Sequence, residues 1–173
     1  MKSFFGVPAH PLFVHIPAVL LPLAAIGVVL MVIKAEWYKR FRWVVLAIGF
    51  VGTLGAILAA QAGESLEERI IAKEGVAVAA GWEDHAEAGE TARLFAIIFF
   101  VVLALFVLIP WFLERRAANG TPKVLPRWAA VLLAALVLVG SAGTVTTVVL
   151  AGHSGAKAVW CETNSPPDCE DGG

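Results

Sequence analysis

Charge is scarce in this sequence. Asp, Glu, Lys and Arg supply only 16% of its 173 residues and nearly cancel, leaving a net charge of −1. So balanced a total points to neither nucleic acid nor an acidic substrate. No HExxH pattern occurs, so metal-assisted hydrolysis has no motif behind it. No CxxCH occurs either: the two cysteines, Cys161 and Cys169, stand in CETNSPPDC, which excludes the usual covalent haem attachment. Without a nucleophile motif, a phosphate loop or an acid/base pair, an electron-transfer or accessory protein is expected rather than a hydrolase or transferase.

What the chain has instead is apolar length. Hydrophobic residues make up 59% of it and the mean hydropathy is +0.80, against about 45–50% apolar usage in soluble domains. Four stretches, 11–33, 43–62, 93–113 and 128–152, approach or exceed the roughly 20 helical residues that cross a hydrocarbon core. The expected fold is all-α, an integral membrane four-helix bundle over residues 1–160 with a short tail at 161–173. The first stretch also raises the alternative of a signal peptide. It exceeds the roughly 7–15-residue core of such peptides, carries histidines and prolines, and ends in a basic loop without a small-residue cleavage site, so it counts as the first span.

The loop after the first span, KAEWYKRFR, and the one after the third, ERRAANGTPKVLPR, are short and basic. The positive-inside rule puts both in the cytoplasm and both termini outside. Trp37, Tyr38, Trp43, Trp111, Phe112 and Trp128 then ring the inner interface, and Trp82 and Trp160 mark the outer one. The connection between spans two and three is acidic and predicts more helix than loop. LEERIIAKEG carries apolar residues at helical spacing and ends on Gly75 as a C-cap, while EDHAEAGETARL leads into span three. No internal repeat stands out, although two helical hairpins are the natural description.

Small residues let membrane helices approach. Gly49, Thr53, Ala56, Ala60 and Gly63 form one candidate stripe; Gly140, Thr144, Thr147, Ala151 and Gly155 form another. Thr144, Thr146 and Thr147 can bond back to helix carbonyls, so their hydroxyls require no functional role. Pro11 suits a first helical turn, whereas Pro17 and Pro22 predict a kinked or loosely wound entry, and Pro110 a bend in the third span.

The chain has four histidines, His10, His15, His85 and His153, and the topology puts all of them at the outer end. Imidazole is the commonest protein metal ligand and a usual axial ligand of haem iron, and polar groups in membrane spans are rare and usually functional. Haem b needs one or two axial histidines, a slot lined by residues such as Gly89, Gly152 and Gly155, and a partner for its propionates such as Arg93 or Lys157. The pairing expected is His15 with His153, with His10 and His85 for a second iron or mixed site. A copper or zinc ion would instead gather histidines with Glu64 or Glu87 at about 2.0–2.2 Å; Glu64 can also fix a histidine tautomer. The competing reading is a non-catalytic scaffold or subunit of a larger membrane complex. In an oxidising compartment Cys161 and Cys169 are expected to form a local disulfide.

Taken together, HPLFVHIPAVLLPLA and AGHSGAKAVW resemble the bacterial membrane family catalogued as domain of unknown function family 2231. Its members open on HPxxVHxP, run through four spans and close the fourth with Gly-His or Gly-Asp, Ser-Gly-Ala, an aliphatic residue and Trp. The resemblance covers nearly the whole chain and implies the four-helix fold. By motif match it carries over His10, His15 and His153 as characteristic positions, with His85 as the histidine before span three. Relatives joined to Rieske or cytochrome-like domains imply electron transfer, with a separate redox partner here.

Overall fold

The computed structural model describes residues 9–75, 82–118 and 125–162, and these are helical almost throughout, with no strand among them. Helices α1 (Ala9–Phe13) and α2 (His15–Ile33) form one interrupted rod; α3 (Ala35–Glu74), α4 (Glu83–Ala118) and α5 (Arg127–Lys157) follow, and a π-helical turn (Ala158–Glu162) closes the described chain. Four segments, one in each rod, are long and apolar enough to cross a membrane.

Proline chemistry explains the interruption at Val14. Pro17 has no N–H to offer the carbonyl of Phe13, four residues back, so the helical ladder loses a rung where α1 passes into α2. The neighbouring rungs survive, from Val14 N–H to the His10 carbonyl (3.1 Å) and from Ala18 N–H to the Val14 carbonyl (3.2 Å). The other end of the rod departs from expectation. The basic segment 34–42 is not a loop: Lys34 alone is extended (φ −132°, ψ 116°), and Ala35 already begins α3. Ala, Glu, Lys and Arg are good helix formers, and the Lys34 carbonyl accepts from Trp37 and Tyr38 to start the first turn. At the far end α3 runs to Glu74, where Gly75 takes a positive φ of 94° that side chains disfavour.

The rods pack as a closed square: α2 against α3, α3 against α4, α4 against α5, and α5 back against α2. Leu21, Ala24, Val28, Phe99, Leu103, Val107 and Val137 fill its centre. Large apolar side chains such as Val19, Ile26, Phe50, Ile98, Val101, Val139 and Leu150 point outward, an arrangement that suits hydrocarbon and not water. Helix α3 uses two small-residue faces. Gly52 and Gly55 receive Leu21, Ile16 and Pro17 from the first rod, and Gly49 receives Leu103 of α4. The expected stripe captured the face with Gly49, Thr53 and Ala56 but omitted Gly52 and Gly55.

Polar groups inside the square have defined partners. The Thr53 hydroxyl donates to the Ala96 carbonyl (3.1 Å) and that of Thr144 to the Phe95 carbonyl (3.0 Å), so α4 is held from both flanks. Thr144 therefore bonds across the bundle and not back along its own helix, because the Phe95 carbonyl lies opposite it. Thr147 does bond back, to Gly143 and Thr144. Near the basic end Pro110 deprives the Phe106 carbonyl of its helical donor, and the Tyr38 hydroxyl reaches that carbonyl (3.3 Å) and its neighbour on Val107 (3.1 Å). Tyr38 is thus a partner for backbone freed by proline as well as an interfacial aromatic.

Two ion pairs bracket the apolar layer. Arg42 meets Glu114 at 2.8 Å at one end, and Arg93 meets Glu64 at 3.2 Å at the other. The uncharged run of α4 between Arg93 and Glu114 is about 20 residues, roughly 30 Å of helix and so one hydrocarbon thickness. Just inside the Arg42 end, Trp43 packs edge-on against Trp111 (5.3 Å), and Arg115 lies over Trp111 (4.5 Å).

Candidate functional site

At the Glu64–Arg93 end two of the four histidines meet. The rings of His10, on α1, and His85, on α4, lie edge to face with centroids 5.8 Å apart. His10 donates its Nδ1–H to the Ala59 carbonyl of α3 at 2.8 Å, since a carbonyl only accepts. His85 donates its Nδ1–H to the Ala151 carbonyl of α5 (3.1 Å), with Ser154 Oγ also in reach at 3.2 Å. Ser154 itself donates to that carbonyl (3.0 Å). In each neutral imidazole this puts the proton on Nδ1 and leaves a lone pair on Nε2.

Glycine makes room for both rings. A Cβ on Gly63 would stand 3.2 Å from His10 Nδ1, and one on Gly155 would stand 2.8 Å from His85 Cε1. The two seats are built alike: a histidine opening one rod of a hairpin lies against Ala-x-x-x-Gly on the other, Ala59 to Gly63 in the first hairpin and Ala151 to Gly155 in the second. Both motifs stand plainly in the sequence, as AAQAG and AGHSG. Their equivalence emerges only when the helices are paired, because the acceptors are backbone carbonyls, which leave no mark on residue type.

The remaining expected residues are arranged differently. His15 is exposed and donates its Nδ1–H to the Pro11 carbonyl on its own rod (2.7 Å), and His153 is exposed on α5. No hydrogen bond or ring contact joins His15 to His153. Gly155 clears space for His85 rather than His153, and a Cβ on Gly152 or Gly89 would meet nothing within 4 Å. Glu64 holds Arg93, not a histidine, and Glu87 is exposed. Arg93 is further engaged by Glu90, and Lys157 is exposed. Among the described residues no three His, Cys, Asp or Glu side chains gather as a metal site. The disulfide expectation lies outside the described residues, which include neither Cys169 nor the side chain of Cys161. Trp82, which the sequence suggested only as an interfacial anchor, stands edge-on to His85 at 6.5 Å.

No curated protein and no solved structure matches the chain. The family model described as a predicted membrane protein (DUF2231) matches residues 6–164, the whole of the described four-helix bundle, and the chain belongs to that family.

Proposed function

We propose that this chain is a membrane-embedded metal-binding protein in which Nε2 of His10 and Nε2 of His85 ligate one copper or zinc ion, as an accessory or electron-transfer component of the membrane. The observation that carries the reading is the pair itself: two imidazoles 5.8 Å apart, each with Nδ1–H fixed on a backbone carbonyl. Metal-ligating histidines characteristically spend their second nitrogen in this way. Two imidazoles sharing one ion at about 2.0–2.1 Å per bond have centroids roughly 5–6.5 Å apart. Water or a partner protein would complete the coordination. By the positive-inside rule the histidine end faces outside and both termini lie there.

Haem b has less support. The pair expected for it, His15 and His153, is exposed at both members, and no hydrogen bond or ring contact joins the two.

Metal analysis and absorption spectra of detergent-purified protein, after incubation with copper or zinc, test the proposal. One ion per chain is expected, lost in His10→Ala and in His85→Ala and kept in His15→Ala. A protein that takes up no metal, or keeps it in both of the first two variants, overturns it. A Soret band that depends on His15 and His153 would establish the haem reading instead.

A further inference from the structure

We infer that the groove between α3 and α4 at the histidine end binds one phospholipid with a primary-ammonium headgroup, a phosphatidylethanolamine. The groove has a volume of about 510 Å³ and is lined by Ile57 of α3 and by Glu90, Thr91, Arg93, Leu94 and Ile97 of α4. Its two halves differ in chemistry along the membrane normal. Arg93 stands where the uncharged run of α4 begins; Glu90 lies one turn above it, and Ile97 about 6 Å below, inside hydrocarbon. Leu94 and Ile97 are exposed on the outside of the bundle, where an acyl chain can lie along them and Ile57.

The polar half is complementary to a zwitterion. Arg93 presents five N–H donors, of which one goes to Glu64 and one to Glu90, leaving others for a phosphate. Two carboxylates against one guanidinium leave an excess negative charge, and both carboxylates are well exposed, so an ammonium group has a partner. A phosphocholine head offers no N–H to Glu64 or Glu90, and a phosphoglycerol head brings a net negative charge towards two carboxylates. The ethanolamine head satisfies both ends. This inference is independent of metal binding by the histidines.

Native mass spectrometry of the delipidated, detergent-solubilised full chain tests it, with chain-matched phosphatidylethanolamine, phosphatidylcholine and phosphatidylglycerol and with free phosphoethanolamine. One phosphatidylethanolamine per chain is expected, bound about tenfold tighter than the other two lipids, with free phosphoethanolamine much weaker. Glu90→Gln should abolish the headgroup preference. Ile97→Trp, which fills the apolar half and leaves the ion pairs in place, should weaken all three lipids; thermal melts of both variants check that they remain folded. Equal binding of the three lipids, a preference for phosphatidylglycerol, binding of free phosphoethanolamine as tight as that of the lipid, a preference intact in folded Glu90→Gln, or undiminished lipid binding by folded Ile97→Trp would each overturn the inference.

Discussion

Glycine substitutions have opposite signs at different positions of this bundle, and the surroundings of each missing Cβ decide which. At Gly155 a methyl would stand 2.8 Å from the His85 ring, which cannot shift without losing the Ala151 carbonyl. Overpacking costs about 1–3 kcal/mol, more than the roughly 1 kcal/mol that alanine gains over glycine in a helix. Gly155→Ala should therefore lower stability against unfolding in detergent. At Gly89 nothing lies within 4 Å, and Gly89→Ala should raise it by about 0.5–1 kcal/mol. The same sign for both substitutions would mean that the His85 seat is not tightly packed. At this scale the sequence singled out His10, His85 and Gly155 as candidate ligand-site residues and Gly63 as part of a packing stripe. It assigned Gly155 to the wrong imidazole, because the neighbour in sequence, His153, faces outward while a residue 70 positions away fills the space.

Along the elements, proline and glycine act in pairs with residues on neighbouring rods. Pro110 and Tyr38 are one such pair: Tyr38→Phe removes the donor to the Phe106 carbonyl and should cost about 1 kcal/mol. In a Pro110→Ala background the residue at 110 can supply a backbone N–H to that carbonyl, so the cost of Tyr38→Phe should shrink by at least half in a double-mutant cycle. An unchanged cost would mean that Tyr38 stabilises through its ring contacts alone. Gly55 and Ile16 are another pair. A methyl at 55 would come within 2.7 Å of Ile16 Cβ and 3.0 Å of Pro17 Cδ, so Gly55→Ala should destabilise the contact of the first rod with α3 by about 1–3 kcal/mol. Ile16→Ala keeps Ile16 Cβ and leaves Pro17 Cδ in place, so it should recover only part of that loss; full recovery would mean that the outer atoms of Ile16 alone make the clash. Helix boundaries were less legible in the sequence than helix identity. The basic stretch 34–42 looked like a loop from its charge, yet only Lys34 breaks the helix, since charge marks the edge of the lipid and not the edge of hydrogen bonding.

For the molecule as a whole, the two ion pairs Arg42–Glu114 and Glu64–Arg93 mark the edges of the layer that must lie in lipid. The positive-inside rule, applied to the arginines and lysines clustered beyond the first pair, predicts that this end faces the cytoplasm. In a cysteine-free background, Arg40→Cys should resist a membrane-impermeant maleimide in intact cells, and Glu67→Cys should react with it. Both positions are exposed, so burial does not confuse the readout. The reverse pattern would turn the histidine pair towards the cytoplasm.

Four apolar runs of spanning length determined the all-α membrane bundle by themselves, because a buried backbone in lipid has to satisfy its own hydrogen bonds and a helix does so locally. The same runs, with their polar ends, told which end each histidine occupies. Tertiary structure alone decided which histidines meet. His10 and His15 differ by five positions on a rod broken at Val14, and rotation about that rod turns one ring towards Ala59 and Gly63 and the other outward. That choice depends on carbonyls and open space supplied by other helices, neither of which is written in the residues that make the pair.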